Sequence, residues 1–225
     1  MEYQIVGGAF PMLVCTLNKG ETMKNESGAM SFMSPNIKME TNTGGGLFKG
    51  IGRALAGDSL FLTFFTAEQD NERIGFSSAY PGKILPLKID ESHPIIAEKG
   101  AFLAAENNID INMYLKPNIG TGLFSGEGFI LQKLSGNGMA FLEIDGELIE
   151  YELAPGETVL VDYGHIAAME ETVGFEVRRI KGVKNILFGE GLFLSELTGP
   201  GKVWVQTMPI SKLAEALIPF IPKKE

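Results

Sequence analysis

The chain has 225 residues, of which 44% are hydrophobic and 21% charged, so it can bury a sizeable core and is not a disordered polymer. Its formal charge of −9, with no long cluster of Lys and Arg, argues against nucleic-acid binding through a basic face. The single cysteine, Cys15, cannot form an intramolecular disulfide, and we expect it to be a small buried side chain in a reducing compartment.

Targeting and membrane signals are weak. The N-terminus has no basic segment followed by an apolar stretch, and the longest apolar runs, such as 60–65, are far shorter than a bilayer-spanning helix. We therefore expect a cytoplasmic protein with no transmembrane segment. No Pro-rich or Ser/Gly-rich linker divides the chain, which predicts a single domain over 1–225.

Taken in chain order, the predicted elements are mainly β-strands separated by Gly- and Pro-rich turns. An apolar strand at 60–64 follows the turn at 56–59. The run at 141–144, the Asp-Gly pair after it and the alternating run at 147–153 predict a β-hairpin. Strands with one polar face are typical of antiparallel sheets stacked as sandwiches, so the fold class is all-β.

A short helix is predicted at the C-terminal end, over 210–219. Apolar residues recur there at helical spacing, Pro209 lies just before the first of them, and Pro219 and Pro222 are suited to ending the helix. We expect the apolar face to dock on the β body. A role in contacting a membrane surface or a partner remains the alternative.

Three internal repeats organise the chain. Gly-Leu-Phe-Lys-Gly-Ile-Gly at 46–52 returns as Gly-Leu-Phe-Ser-Gly-Glu-Gly at 122–128, and again as Ile-Leu-Phe-Gly-Glu-Gly at 186–191. A second shared pattern, an acidic residue two positions before a glycine, precedes each copy at Gly28, Gly100 and Gly164. The two patterns predict three antiparallel β units, approximately 1–75, 76–146 and 147–210, around a local threefold axis.

No established catalytic or metal-binding motif is present. The two histidines, His93 and His165, are far apart in sequence, whereas a metal site needs two or three clustered ligands. The Gly-rich run at 50–55 lacks the third glycine of a dinucleotide fingerprint, and neither histidine lies in a nucleophile signature. We therefore predict no catalytic, cofactor-binding or metal-binding residues.

The first repeat differs from the other two in a way that suggests an interface. It has Ile51 where the others have Glu127 and Glu190, and besides Met1 it contains five of the ten methionines, which fill irregular cores and also form adaptable contact surfaces. We predict that the chain associates with itself, most simply as a trimer. The residues expected at an oligomer or partner interface are Ile51, Leu213, Leu217 and Phe220.

Several longer motifs resemble one known family. The segments 123–128, 131–136, 152–157, 184–191 and 197–206 are similar to the family named after the yeast altered-inheritance-of-mitochondria protein number twenty-four. The resemblance implies a fold like that of the tryptophan RNA-binding attenuation protein, of the double-stranded β-helix or sandwich type, repeated three times. It also implies cytoplasmic trimers, and it implies no catalytic residue.

Three functions remain open from the sequence. The first is a non-enzymatic binding or scaffold protein that acts as a homo-oligomer, with itself or an unidentified protein as partner. The second is a small-molecule or carbohydrate binder, and the third a hydrolase with an unrecognised site. No cofactor is predicted for any of them, and peripheral contact with a membrane is compatible with the first.

Overall fold

The computed structural model of the chain describes residues 1–26, 28–42, 62–114, 130–179 and 193–221. These residues are mostly β, as the alternating patterns predict, and form nineteen strands in four antiparallel sheets. The strands are β1 Glu2–Val6, β2 Met12–Leu17, β3 Thr22–Glu26, β4 Met30–Met33, β5 Ile37–Asn42, β6 Leu62–Ala67, β7 Glu72–Ser77, β8 Gly82–Ile89, β9 Ile95–Glu98, β10 Phe102–Glu106, β11 Ile109–Met113, β12 Leu131–Gly136, β13 Gly138–Asp145, β14 Leu148–Leu153, β15 Thr158–Val161, β16 Ile166–Glu170, β17 Gly174–Arg179, β18 Phe193–Thr198 and β19 Gly201–Gln206.

The repeated Gly-Leu-Phe motifs lie outside the described residues, at 46–52, 122–128 and 186–191. Ile51, one of the predicted interface residues, lies outside them as well. The second repeat pattern, around Gly28, Gly100 and Gly164, falls within the described part of the chain, apart from residue 27.

Two of the four sheets share a common plan. Sheet 1 has the order β1-β2-β7-β4, sheet 2 β5-β6-β3-β10-β13-β8, sheet 3 β11-β12-β9-β16-β19-β14 and sheet 4 β15-β18-β17. Each strand of sheet 3 is the sixth along the chain after its counterpart in sheet 2. Sheets 2 and 3 are therefore built in the same way from successive parts of the chain.

The hairpin predicted at the Asp-Gly pair is wrong. Gly146 does adopt a positive φ of +78°, as a tight turn requires. However, β13 has β10 on one edge and β8 on the other, so neither edge is available to the strand that follows the turn. That strand, β14, instead crosses to sheet 3 and pairs with β19.

Three strands carry a β-bulge near their start. In β4, β10 and β16 the register shifts against the neighbouring strand near the start of the bulged strand, which bends it locally. The shifts lie between Met30 and Phe32, between Phe102 and Ala104, and between Ile166 and Ala168.

The described residues bury three hydrophobic clusters, each between two sheets. Leu142 of sheet 2 and Leu134 of sheet 3 belong to the first cluster. Phe65 of sheet 2 and Phe76 of sheet 1 belong to the second, with ring centroids 5.7 Å apart in an edge-on arrangement. The third joins sheets 3 and 4 through residues such as Val203 and Leu197. Full burial of one such side chain stabilises a fold by about 1.5–3 kcal/mol.

Cys15 lies in the second cluster, as the sequence predicts. The side chain is inaccessible to solvent and forms no disulfide. Burial raises the pKa of its thiol to about 12, so the reactive thiolate is scarce at neutral pH.

The C-terminal helix forms where predicted but does not dock as predicted. Helix α1 spans Ile210–Leu217 and continues as the 3-10 helix Ile218–Phe220, and neither contains a buried residue. The backbone N–H of Ile210 donates to Oδ2 of Asp145 at 2.8 Å, so the body holds the start of the helix and leaves its apolar face exposed. No helix among the described residues is long and apolar enough to cross a membrane.

Candidate functional site

A cavity of about 420 Å³ lies where the ends of several strands and the start of α1 meet. Asp145 and Gln206 are the last residues of β13 and β19, and Tyr80 follows the end of β7. The side chains that give the cavity its character are Glu98, Glu143, Asp145, Tyr80, Tyr163 and Gln206.

Two short turns, each following an acidic residue, form part of the cavity wall. The 3-10 helices Lys99–Ala101 and Tyr163–His165 follow Glu98 and Asp162 directly. Oδ1 of Asp162 accepts a hydrogen bond from the backbone N–H of Gly164 at 3.3 Å, which explains why an acidic residue stands two positions before that glycine.

Two carboxyl groups in the cavity accept hydrogen bonds from backbone N–H groups. Oε2 of Glu143 accepts hydrogen bonds from the Ser78 hydroxyl and from the Ala79 N–H, both at 2.9 Å. Asp145 accepts from the N–H of Ile210, as described above. Burial raises the pKa of both carboxyl groups, although these hydrogen bonds oppose the rise.

Glu98 is the most strongly perturbed carboxyl group of the cavity. Burial raises its pKa to about 7, against the lowering effect of the N–H groups of Gly100 and Ala101, and the nearby Asp145 and Glu26 carboxylates raise it further. Near neutral pH this side chain therefore exists in both protonation states, and it can accept or donate a hydrogen bond in the cavity.

Gln206 joins the two sides of the cavity wall. Its Oε1 accepts from the N–H of Asp145, and its Nε2 donates to the carbonyl of Gly164, both at 3.0 Å. The backbone carbonyl of Gln206 lies 2.8 Å from Nδ1 of His165. His165 is thus bound to the backbone of the neighbouring strand.

A Ser-His-Asp group occurs elsewhere, in the turn before β9, but it lacks the geometry of a catalytic triad. The Ser92 hydroxyl donates to Oδ1 of Asp90 at 2.6 Å, and Nδ1 of His93 lies 2.9 Å from the same oxygen and 3.0 Å from the Ser92 hydroxyl. A triad needs the acid and the nucleophile on opposite ring nitrogens, whereas here both approach Nδ1. This is a hydrogen-bonded turn, and the hydroxyl of Ser92 and the ring of His93 lower the pKa of Asp90 to about 2.

Three of the four predicted interface residues lie in the described part of the chain, and none of these three lines the cavity. Leu213 is half-buried, Leu217 is 52% exposed and Phe220 is 82% exposed, all on the terminal helical segment. The segment meets the cavity only at its start, through Ile210 and Ser211.

The described residues contain no group of three or more His, Cys, Asp or Glu side chains arranged to hold a metal ion. The hydrogen-bond partners of the cavity carboxyl groups are N–H and O–H donors, which are the groups that carboxylate oxygens bind.

Sequence reasoning identified Glu98 only as part of a repeated pattern and missed Glu143 and Asp145. In the sequence, Asp145 is part of a predicted turn and Glu143 is only one residue of the run at 141–144. One signal was available: Asp145 and Gln206 both end a strand that follows a Gly-rich turn, so the predicted repeat would have placed them at the same end of the fold.

The fold and the cavity define a class of protein, an all-β protein with a cavity lined in part by carboxyl groups and with an exposed apolar helical segment. A comparison with family models matches residues 3–208 to the family described as Mitochondrial biogenesis AIM24. The chain belongs to this family, as the resemblance of its motifs predicted.

Among solved structures, the chain is similar to a Streptococcus pyogenes protein determined by X-ray crystallography in a structural-genomics programme. The two are 22% identical, the match covers 98% of this chain and 99% of the other, and the TM-score is 0.81. At this identity the likeness establishes a common fold and nothing about activity. The search of curated proteins found no match.

Proposed function

We propose that the protein is a non-enzymatic binding or scaffold protein that works as a homo-oligomer. The observation that carries the proposal is the apolar terminal segment, in which Leu217 is 52%, Ile218 62%, Phe220 82% and Ile221 63% exposed. Monomeric soluble proteins rarely expose a contiguous apolar patch of this kind, since covering it removes apolar surface from water.

A second copy of the chain suits this segment better than a membrane surface. Cytoplasmic membrane leaflets are negatively charged, and a chain with a formal charge of −9 is repelled from them. When a segment at one end of a molecule binds a different surface on the next molecule, cyclic closure is the usual result. A trimer, with Ile51 at the interface and a cytoplasmic location, remains our prediction.

The chain architecture that we propose for this assembly is three copies of one β unit. The strands divide into three successive sets of six, β2–β7, β8–β13 and β14–β19. Adding six to each strand number in sheet 2 gives the strand order of sheet 3. The bulges of β4, β10 and β16 each begin two residues after the repeated glycines. An attenuation-protein-like fold is part of this proposal.

One pair of facing positions supports the repeat, because a small residue faces a large aromatic residue there in each unit. Ala104 lies opposite Phe141 and Ala168 opposite Trp204 at equivalent places in the second and third units. In the first unit the small and large residues have changed strands, because Phe32 lies opposite Gly75 with its ring over the glycine. The total volume is roughly preserved, as a shared packing plan requires.

Light scattering on the purified protein tests the assembly. We expect a mass three times the 24.4 kDa of the chain in the micromolar range, and we expect Phe220→Glu to reduce it, because the new charge would have to be desolvated in the interface. The matched control is Phe10→Glu, since Phe10 is 72% exposed in a turn at the other end of the chain. A monomeric mass for the unmodified protein, or equal loss of assembly in both variants, would contradict the proposal.

A second candidate function is binding of a small donor-rich ligand, such as a carbohydrate, in the carboxyl-lined cavity. The volume of about 420 Å³ lies within the usual range for small-molecule sites, and carboxyl groups with raised pKa values converge there beside Tyr80 and Tyr163. Calorimetry with a panel of neutral sugars tests this candidate. Binding by the unmodified protein that Glu143→Gln weakens supports it, and heats indistinguishable from dilution for every sugar speak against it.

A further inference from the structure

Within the described part of the chain, strand pairing joins the three proposed β units at two junctions, and the repeat implies a third. In sheet 2 the first and second units join through β3 and β10, and in sheet 3 the second and third units join through β9 and β16. The counterparts at the third junction are β15 and β4. Within the described part of the chain, β15 pairs only with β18 and β4 only with β7. We call the pair β4 and β15 the open seam.

The paired junctions fix the register that the open seam would adopt. Lys24 lies opposite Ala105 in sheet 2, and Ile96 lies opposite Met169 in sheet 3. Lys24 and Ile96 each stand two residues before the repeated acidic residue, and the third residue of this kind is Leu160.

The other side of the junction follows in the same way. Ala105 and Met169 each stand five residues after the repeated glycine, and the equivalent residue of the first unit is Met33. Leu160 opposite Met33 is therefore the register by which β15 and β4 would continue the plan of the other two junctions.

The seam differs from the paired junctions in exposure and in side-chain size. Leu160 is 49% exposed and Phe32 is 39% exposed, whereas Ala104 and Ala168, the equivalents of Phe32, are fully buried. Unpaired strand edges are normally covered, because their N–H and C=O groups can pair with other strands.

We propose that the open seam is a latch within one chain, and the inference rests on the threefold repeat proposed above. In a second state of the molecule β15 pairs with β4, with Leu160 opposite Met33. The combined sheet then has the order β17-β18-β15-β4-β7-β2-β1, in which the first six strands follow the plan of sheets 2 and 3. Closure within one molecule is favoured over pairing between copies because the two edges are tethered at high effective concentration.

Disulfide trapping tests the latch. Met33→Cys and Leu160→Cys are combined in a Cys15→Ala background, and the protein is oxidised with diamide. We expect a cross-linked monomer, identified by the loss of two hydrogens in the intact mass and by peptide mapping, with a raised unfolding temperature. The matched control is Met33→Cys with Val159→Cys, because neighbouring strand residues point to opposite faces and this pair cannot reach disulfide geometry.

Each outcome decides the inference. A high yield of cross-linked monomer for the Leu160 pair, with little for the Val159 pair, supports the latch. Equal yields for both pairs, no cross-linked monomer, or cross-linked dimers alone overturn it. If the Cys15→Ala background does not fold, the same pairs are made with Cys15 retained, since that buried thiol is unreactive. The mass of the Phe220→Glu variant is measured separately, so this test can fail without affecting the assembly proposal.

Discussion

Replacing Glu98 by glutamine should stabilise the protein above pH 7 and flatten the dependence of its stability on pH. The carboxyl group has a pKa of about 7 in the folded chain, against an ordinary value of 4.5, mainly because of burial. The folded state therefore holds its proton more tightly than the unfolded state. The resulting stabilisation is complete below pH 4.5 and is lost as the pH rises through 7.

The size of the effect follows from the two pKa values. The difference between 4.5 and about 7 corresponds to about 3 kcal/mol, most of which is lost between pH 5 and pH 8. Glutamine cannot ionise, and its amide oxygen can still accept from the N–H groups of Gly100 and Ala101. At pH 8 the variant should thus have a free energy of unfolding about 3 kcal/mol higher than that of the unmodified protein.

Urea unfolding monitored by the fluorescence of Trp204, the single tryptophan, measures both proteins from pH 5 to pH 8. Glu143 and Asp145 titrate in both proteins, so the difference between the two curves isolates Glu98. The control is Glu152→Gln, which removes one exposed surface carboxylate from β14. If the free energy of unfolding changes with pH by the same amount in Glu98→Gln and in the unmodified protein, burial does not hold Glu98 protonated.

Two further predictions concern packing. Gly82→Ala should destabilise the fold by about 2–4 kcal/mol, because a Cβ at this position would overlap the carbonyl oxygen of Ile144. The control is Gly8→Ala, which should be nearly neutral because the space around Gly8 is open. Thermal unfolding measures the stability of both variants. Gly75→Phe should be strongly destabilising alone, because its side chain would meet the ring of Phe32, and much less so together with Phe32→Ala, which recreates the arrangement of the other two units. A double-mutant cycle by urea unfolding measures the coupling, and additive effects would count against equivalent packing in the three units.

Local chemistry accounts for what the sequence predicted correctly. The β class follows from alternating polar and apolar residues, and the burial of Cys15 follows from the apolar run around it. The start of α1 at Ile210 follows from Pro209 and from apolar residues at helical spacing. These features depend on neighbours within a few residues, which the sequence lists directly.

Tertiary structure alone decided three other features. The Asp-Gly turn at Gly146 was predictable, but β14 leaves it for another sheet because β10 and β8 occupy both edges of β13. The periodicity of α1 identifies an apolar face without identifying what covers it, and the described residues leave it uncovered.

The cavity is the clearest case. Glu98 ends β9, whereas Glu143 and Asp145 lie in β13, more than forty residues further along the chain, and nothing in the local sequence of either strand marks these residues as a group. The sequence by itself determined the strands, the turns and the family, because these rest on local patterns and recurring motifs. Only the tertiary structure brought the three carboxyl groups together and partly shielded them from water, and that partial burial is the main physical cause of their raised pKa values.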